Sequence, residues 1–141
     1  MSDMDINFYL LCFSIVLFVI VIILSCINWL LFKNNKSLYE ELLSEYLMRG
    51  LPLDSITIFS SYMGDFNCYP KIWYFIYLYK NKKMMHKRGV PVCQDAYDFI
   101  QKLPPERIDW ILKIHGIYRV IFFLSAIMMF LMWFATRNYK N

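Results

Sequence analysis

Two histidines, four cysteines and eleven carboxylates are the side chains through which this 141-residue chain could do acid–base, nucleophilic or metal chemistry. Their spacing supports none of these. His86 and His115 stand apart, with no H-x-x-x-H or H-E-x-x-H pattern, so neither has a metal-binding partner one helical turn away. Cys12, Cys26, Cys68 and Cys93 form no C-x-x-C pair, and the first two lie inside a long apolar run. Neither a disulfide framework nor a zinc site is expected from them. Asp95, Asp98 and Asp109 fall in no catalytic spacing with a nucleophile. Four glycines leave no phosphate-cradling loop. The chain reads as non-enzymatic, with no catalytic residue, no cofactor and no metal.

The residues that do suggest a role are aromatic and basic. At 70–88 the sequence is PKIWYFIYLYKNKKMMHKR, in which Trp73, Tyr74 and Tyr77 precede Lys80, Lys82, Lys83, Lys87 and Arg88. Cations near a bilayer attract anionic headgroups by about 1 kcal/mol each. Tyr and Trp favour the membrane–water interface because one part of the ring system is apolar and another needs a hydrogen bond. These eight residues are the candidate contacts to lipid or to a protein partner. The plainer reading is a solvated helix end whose cations complement the helix dipole. The net charge is only +4, and nucleic acid is not an expected partner.

A membrane is expected because two runs bracket this stretch. Residues 6–32 carry no Asp, Glu, Lys, Arg or His, and about 20 apolar residues of helix cross a hydrocarbon core. A second run lies near 120–136. Hydrophobic residues make up 59% of the chain, above the roughly 45–50% of soluble domains. The first run is read as a retained anchor. Asp3 and Asp5 stand where a signal peptide would be basic, the run is too long, and no A-x-A-like site follows it. The expected fold class is all-α, with two transmembrane helices and a small helical domain between them. The expected divisions are a tail at 1–7, a span at 8–32, a middle domain at 33–118, a span at 119–136 and a tail at 137–141. Trp29, Arg119, Trp133 and Arg137, with Tyr139 beyond, are the expected interface anchors. Asn28 is placed either at the headgroups or in a hydrogen bond between spans.

Within the middle domain, Ser37-Leu-Tyr-Glu40 has the form of a capping box. Leu38, Leu42, Leu43 and Leu47 recur at helical spacing, and Gly50 with Pro52 stops that helix. Asp54 is expected to cap a short helix with Ile56, Phe59 and Met63 on one side. Pro70 opens the next helix, expected to run to Arg88 with Gly89 past its end. A short helix at 92–102 follows, with Cys93, Ala96, Tyr97 and Ile100 on one face. Pro105 opens a final helix that continues into the second span. Its residues 105–118 are expected to project as an amphipathic stalk.

Neither span holds an acidic residue or a lysine, which disfavours a proton relay or an ion-coupled transporter. The N-terminal tail has no Lys or Arg and the C-terminal tail has Arg137 and Lys140, whereas Lys33, Lys36, Lys113 and Arg119 lie beside the spans on the middle side. The positive-inside rule puts the middle domain in the cytoplasm and both termini outside. The expected partners are anionic membrane lipids and a second copy or another membrane protein.

The stretch Trp73-Tyr74-Phe75-Ile76-Tyr77, with Tyr97-Asp98-Phe99-Ile100 downstream and a span at each end, resembles the universal stress protein B family. Those are small bacterial inner-membrane proteins. The resemblance implies a role in general stress or stationary-phase tolerance and supplies no catalytic residues. This chain departs from the pattern in its acidic N-terminal tail, its residues around 89–93 and its tail past the second span. Two other functions fit the same architecture: a membrane immunity protein against a membrane-active toxin, and a small pore or transporter subunit.

Overall fold

The computed structural model describes residues 3–65 and 68–138. The expected belt residue Tyr139 and the tail cation Lys140 lie outside them. The fold is all-α apart from one small hairpin. Its elements are α1 (Asp3–Asn34), α2 (Lys36–Met48), α3 (Ser55–Ser61), α4 (Cys68–Tyr79), β1 (Met85–Lys87), β2 (Val90–Pro91), α5 (Gln94–Gln101) and α6 (Pro105–Asn138). The chain divides into two compact units, one made of Met1–Asn28 with Ile117–Asn141 and the other of Trp29–Gly116.

The first unit consists of the outer arms of α1 and α6. Both helices are long and apolar enough to cross a membrane. Along α1, Asn7, Ser14, Leu17 and Asn28 are buried, and Leu10, Val21 and Leu24 are half-buried. Along α6, Ile117, Ile121, Leu124, Met128 and Leu131 are half-buried and Ala135 is buried. Both lines repeat in steps of three and four, the seven-residue period of paired helices. They are the faces the arms turn toward each other, since nothing else in this unit could cover them. Asn28, wholly buried, belongs to this line. The outward faces carry Phe8, Phe13, Phe122, Phe123 and Phe130, all exposed, as lipid-facing surfaces require.

The second unit is built on α4. Tyr74, Phe75, Ile72, Ile76 and Leu78 are fully buried, and Tyr39, Leu42 and Tyr46 of α2 close over them. Tyr46 meets Phe75 edge-on at 5.5 Å between ring centroids and Phe99 of α5 at 5.8 Å. Each buried aromatic contributes about 1.5–3 kcal/mol by leaving water. The leucine stripe expected on α2 is thus rotated. Tyrosines 39 and 46 point inward with Leu42, and Leu47 is exposed.

Three other expectations are corrected. Ser37 does not cap α2. The helix restarts after a single interruption at Asn35, whose Nδ2 donates to the Leu31 carbonyl at 2.7 Å. Helix α4 ends at Tyr79, nine residues early, because Asn81 adopts φ +54°. The Lys82 amide then donates to the Tyr77 carbonyl at 3.0 Å and the Asn81 amide to Leu78 at 3.1 Å. This pair of bonds closes a helix C-terminus, and Asn is one of the few side chains that tolerates the left-handed position. Gly89, at φ +77°, turns the β1–β2 hairpin instead. Finally, residues 105–118 do not project as a stalk. Ile108, Trp110, Ile111 and Ile114 are buried in the core of this unit.

Other local expectations are met. Asp54 caps α3 by accepting from the Thr57 amide at 3.2 Å. The Gly50 turn closes α2 with bonds from Gly50 to Leu47 at 2.9 Å and from Leu51 to Tyr46 at 3.4 Å. On α5, Ala96, Tyr97 and Ile100 are buried together, whereas Cys93 is exposed.

Candidate functional site

The apolar run 72–79 gives a helix two faces of similar hydrophobicity, so burial alone must choose between them. Because α4 buries Ile72, Phe75, Ile76 and Leu78, the residues at 69, 73, 77 and 80 form a stripe on its other side. Tyr69, Trp73 and Tyr77 are half-buried, and Lys80 is exposed. Trp73 and Tyr77, one turn apart, lie 4.2 Å between ring centroids. The Lys82 ammonium sits 4.8 Å over the Tyr77 ring, a cation–π contact worth about 0.5–1 kcal/mol where solvent reaches it.

His115, near the unit's border on α6, closes the stripe at both ends. Its ring stacks on Tyr69 at 5° between planes and 6.1 Å between centroids. Nδ1 lies 3.5 Å from Tyr69 Oη, and Nε2 lies 3.0 Å from Lys80 Nζ. An ammonium can only donate, so Nε2 is the accepting nitrogen of this contact. Burial raises the Tyr69 phenol above its ordinary range, with a smaller contribution from Tyr77. The arrangement presents three π faces and two ammonium groups along one helix. It suits an anionic, partly apolar ligand, such as a lipid headgroup with its adjoining chain.

The structure therefore brings together Trp73, Tyr77, Lys80 and Lys82 from the candidate residues and separates the rest. Tyr74, about 100° round the helix from Trp73, points into the core, where its Oη donates to the Pro52 carbonyl at 2.6 Å. Tyr46 Oη donates to the same carbonyl at 2.8 Å, and the two hydroxyls lie 3.1 Å apart. Burial pushes the Tyr74 phenol up to about 12. Tyr46 rises further, through burial and then its bond to Tyr74. Lys83, Lys87 and Arg88 are exposed along the hairpin and the turn leading into it. The hairpin is fastened at its base by Tyr97, whose Oη donates to the Lys82 carbonyl at 2.9 Å and accepts from the Met84 amide at 3.0 Å. Sequence reasoning missed Tyr69 and His115. Tyr69 could have been found as one turn before Trp73, whereas His115 joins the stripe only through tertiary packing.

The anchors are placed as follows. The Lys33 ammonium lies 4.9 Å over the Trp29 ring, and the Arg137 guanidinium 5.3 Å over Trp133. Each is a tryptophan with a cation one helical turn later. Trp133 and Arg119 are exposed.

A second concavity, of approximately 620 Å³, is lined by Glu45, Arg49, Asp98, Phe99, Lys102 and Arg107, among others. Its guanidinium groups are already engaged. Arg107 reaches Glu45 at 2.9 Å and Glu41 at 3.4 Å, and Arg49 reaches Glu45 at 3.2 Å. The Arg107 hydrogen bond holds the Glu45 carboxyl below its ordinary range. This cleft fastens α2 to α6. Among the described residues, no three potential metal ligands come together.

No protein-family model, curated protein or solved structure matches the chain.

Proposed function

We propose that this protein works by binding and not by catalysis, as a two-span membrane protein whose loop unit holds anionic lipid at the stripe Tyr69–Trp73–Tyr77–Lys80. The observation that carries this reading is the geometry of Lys80 and Lys82 around half-buried aromatic rings in mutual contact. Lys83, Lys87 and Arg88 extend the positive charge onto the hairpin. The distribution of Lys and Arg supports an inner-membrane protein with the loop unit cytoplasmic and both termini outside. The likeness of residues 73–77 and 97–100 to universal stress protein B supports a role in general stress or stationary-phase tolerance. That part rests on those residues alone.

Native mass spectrometry of the full chain, extracted in the presence of defined lipids, tests the binding. Phosphatidylglycerol should be retained over phosphatidylcholine, and the variant Lys80→Gln with Lys82→Gln should lose most of that preference. Equal retention of both lipids by the wild-type chain would defeat the proposal. An impermeant thiol reagent tests the orientation. Cys93 is exposed and should react only after the cells are opened, whereas Cys68, at 1% exposure, should stay silent until the unit unfolds. Labelling of Cys93 in intact cells would place the loop unit outside.

A further inference from the structure

Helix α3 is inside out. Its polar side chains Thr57 and Ser60 are each 1% exposed, whereas Phe59 is 65% exposed and Tyr62, just past its end, 83%. Ile56, Ile58 and Met63 are exposed as well. The inward hydroxyl of Ser60 is satisfied locally by the Thr57 carbonyl at 2.9 Å, whereas the buried Thr57 hydroxyl has no hydrogen-bond partner among the described residues, so this face is buried at a cost. No charged residue occurs from 55 to 64. A water-soluble surface helix has the opposite arrangement, with its apolar residues inward.

The C-terminal end of α3 is tied to the root of the first span. Asp65 bridges to Lys36 at 3.1 Å. The Gly64 carbonyl accepts from Lys71 Nζ at 2.8 Å, and that same buried ammonium lies 5.5 Å over the ring of Phe32. Phe32 is the last apolar residue of the run that begins at Ile6, and Lys36 follows it by one turn. The headgroup layer outside the hydrocarbon core is about 5–7 Å deep, so the level of Lys36 falls within it. Helix α3 is about 10 Å long, and its exposed apolar end is the one fastened at that level.

We propose that the end of α3 is a monotopic membrane contact, with Phe59, Tyr62 and Met63 inserted at the boundary between headgroups and acyl chains. Interfacial segments bury such a face while a polar or backbone side remains with the protein. Tyr62 supplies the amphipathic ring of an interfacial belt. A second copy of the chain is the weaker occupant. A stable protein interface uses roughly 20–30 residues a side, and this two-turn helix offers five apolar side chains. The contact is separate from the stripe on α4 and carries no charge, so it should persist in neutral lipid.

Spin labels at Phe59→Cys, Tyr62→Cys and Met63→Cys, each on a chain whose native cysteines are alanine, test this in phosphatidylcholine nanodiscs. Lys102→Cys, exposed on the loop unit, is the aqueous reference. Relaxation by oxygen should exceed relaxation by a nickel chelate at 59, 62 and 63, and the order should reverse at 102. The same order at all four positions, with the chelate dominant, overturns the proposal. Replacing Tyr62 by p-benzoylphenylalanine in the otherwise native chain gives an independent readout. A phospholipid photoadduct supports the contact, and an adduct joining two copies overturns it.

Discussion

Lys80 and His115, thirty-five residues apart, meet at 3.0 Å between Nζ and Nε2. The ammonium donates and the ring nitrogen accepts, so His115→Ala should release Lys80 from the stripe. A lost contact of about 1 kcal/mol corresponds to an approximately fivefold change in a local opening equilibrium. Hydrogen exchange at the amides of residues 80–82 should rise by that order in His115→Ala. In His115→Gln, whose amide oxygen can still accept, the rise should be smaller.

The half-buried stripe and the fully buried residues of α4 are distinct, and substitutions should divide accordingly. Tyr74→Ala removes a fully buried ring and should cost about 3–5 kcal/mol, enough to unfold the loop unit in detergent. Tyr74→Phe loses only the hydroxyl bond to Pro52 and should cost about 1 kcal/mol. Trp73→Ala and Tyr77→Ala should lower the melting temperature far less than Tyr74→Ala while abolishing the preference for anionic lipid. Thermal unfolding followed by far-UV circular dichroism separates these outcomes.

Burial also sets the response to alkali. Tyr74 is pushed up to about 12, and Tyr39 and Tyr46 lie higher, chiefly through desolvation. In the unfolded chain all three titrate near the ordinary value of about 10. Above that pH the unfolded state releases protons that the folded state keeps, so stability falls as pH rises. Below pH 10 these groups should leave stability unchanged. Absorbance titration of phenolate should show a late-ionising fraction of the eleven tyrosines, and that fraction should disappear when the protein is unfolded.

The acid limb has the opposite sign. Arg107 holds the Glu45 carboxyl below its ordinary range. Stability from this contact is fully present above the unfolded carboxylate value of about 4.3 and is lost as pH falls below it. The pair is partly exposed, at 24% and 34% of the two side chains, so Glu45→Gln should cost no more than about 1 kcal/mol. A denaturant melt at neutral pH should show that loss, and the difference from wild type should shrink as the pH is lowered below that value.

Several local features were legible because their physics is local. The absence of charge from 6 to 32 marks a helix long and apolar enough to cross a membrane, since a bilayer penalises any unsatisfied polar group. Asp54, Pro105 and the Gly50–Pro52 pair mark helix ends because capping depends on residues within one turn. The end of α4 was not legible. Asn81 and Gly89 both tolerate a left-handed backbone, and only the fastening of Lys82 and Met84 by Tyr97 fixes Asn81 as the stop.

The sequence by itself determined two apolar helices, the short helices between them and the clustering of aromatic and basic residues at 70–88. Tertiary structure decided which side of each helix became surface. In the run 72–79 nearly every position is apolar, so periodicity could not separate Tyr74, which goes to the core, from Trp73 and Tyr77, which do not. On α3 the apolar residues were expected to share a side, and they do. That side faces outward because Lys71, buried between Gly64 and Phe32, fixes how the segment docks. His115 joined the stripe for the same reason: contacts across 35 or 46 residues depend on how α4 and α6 pack, and no local pattern carries that information.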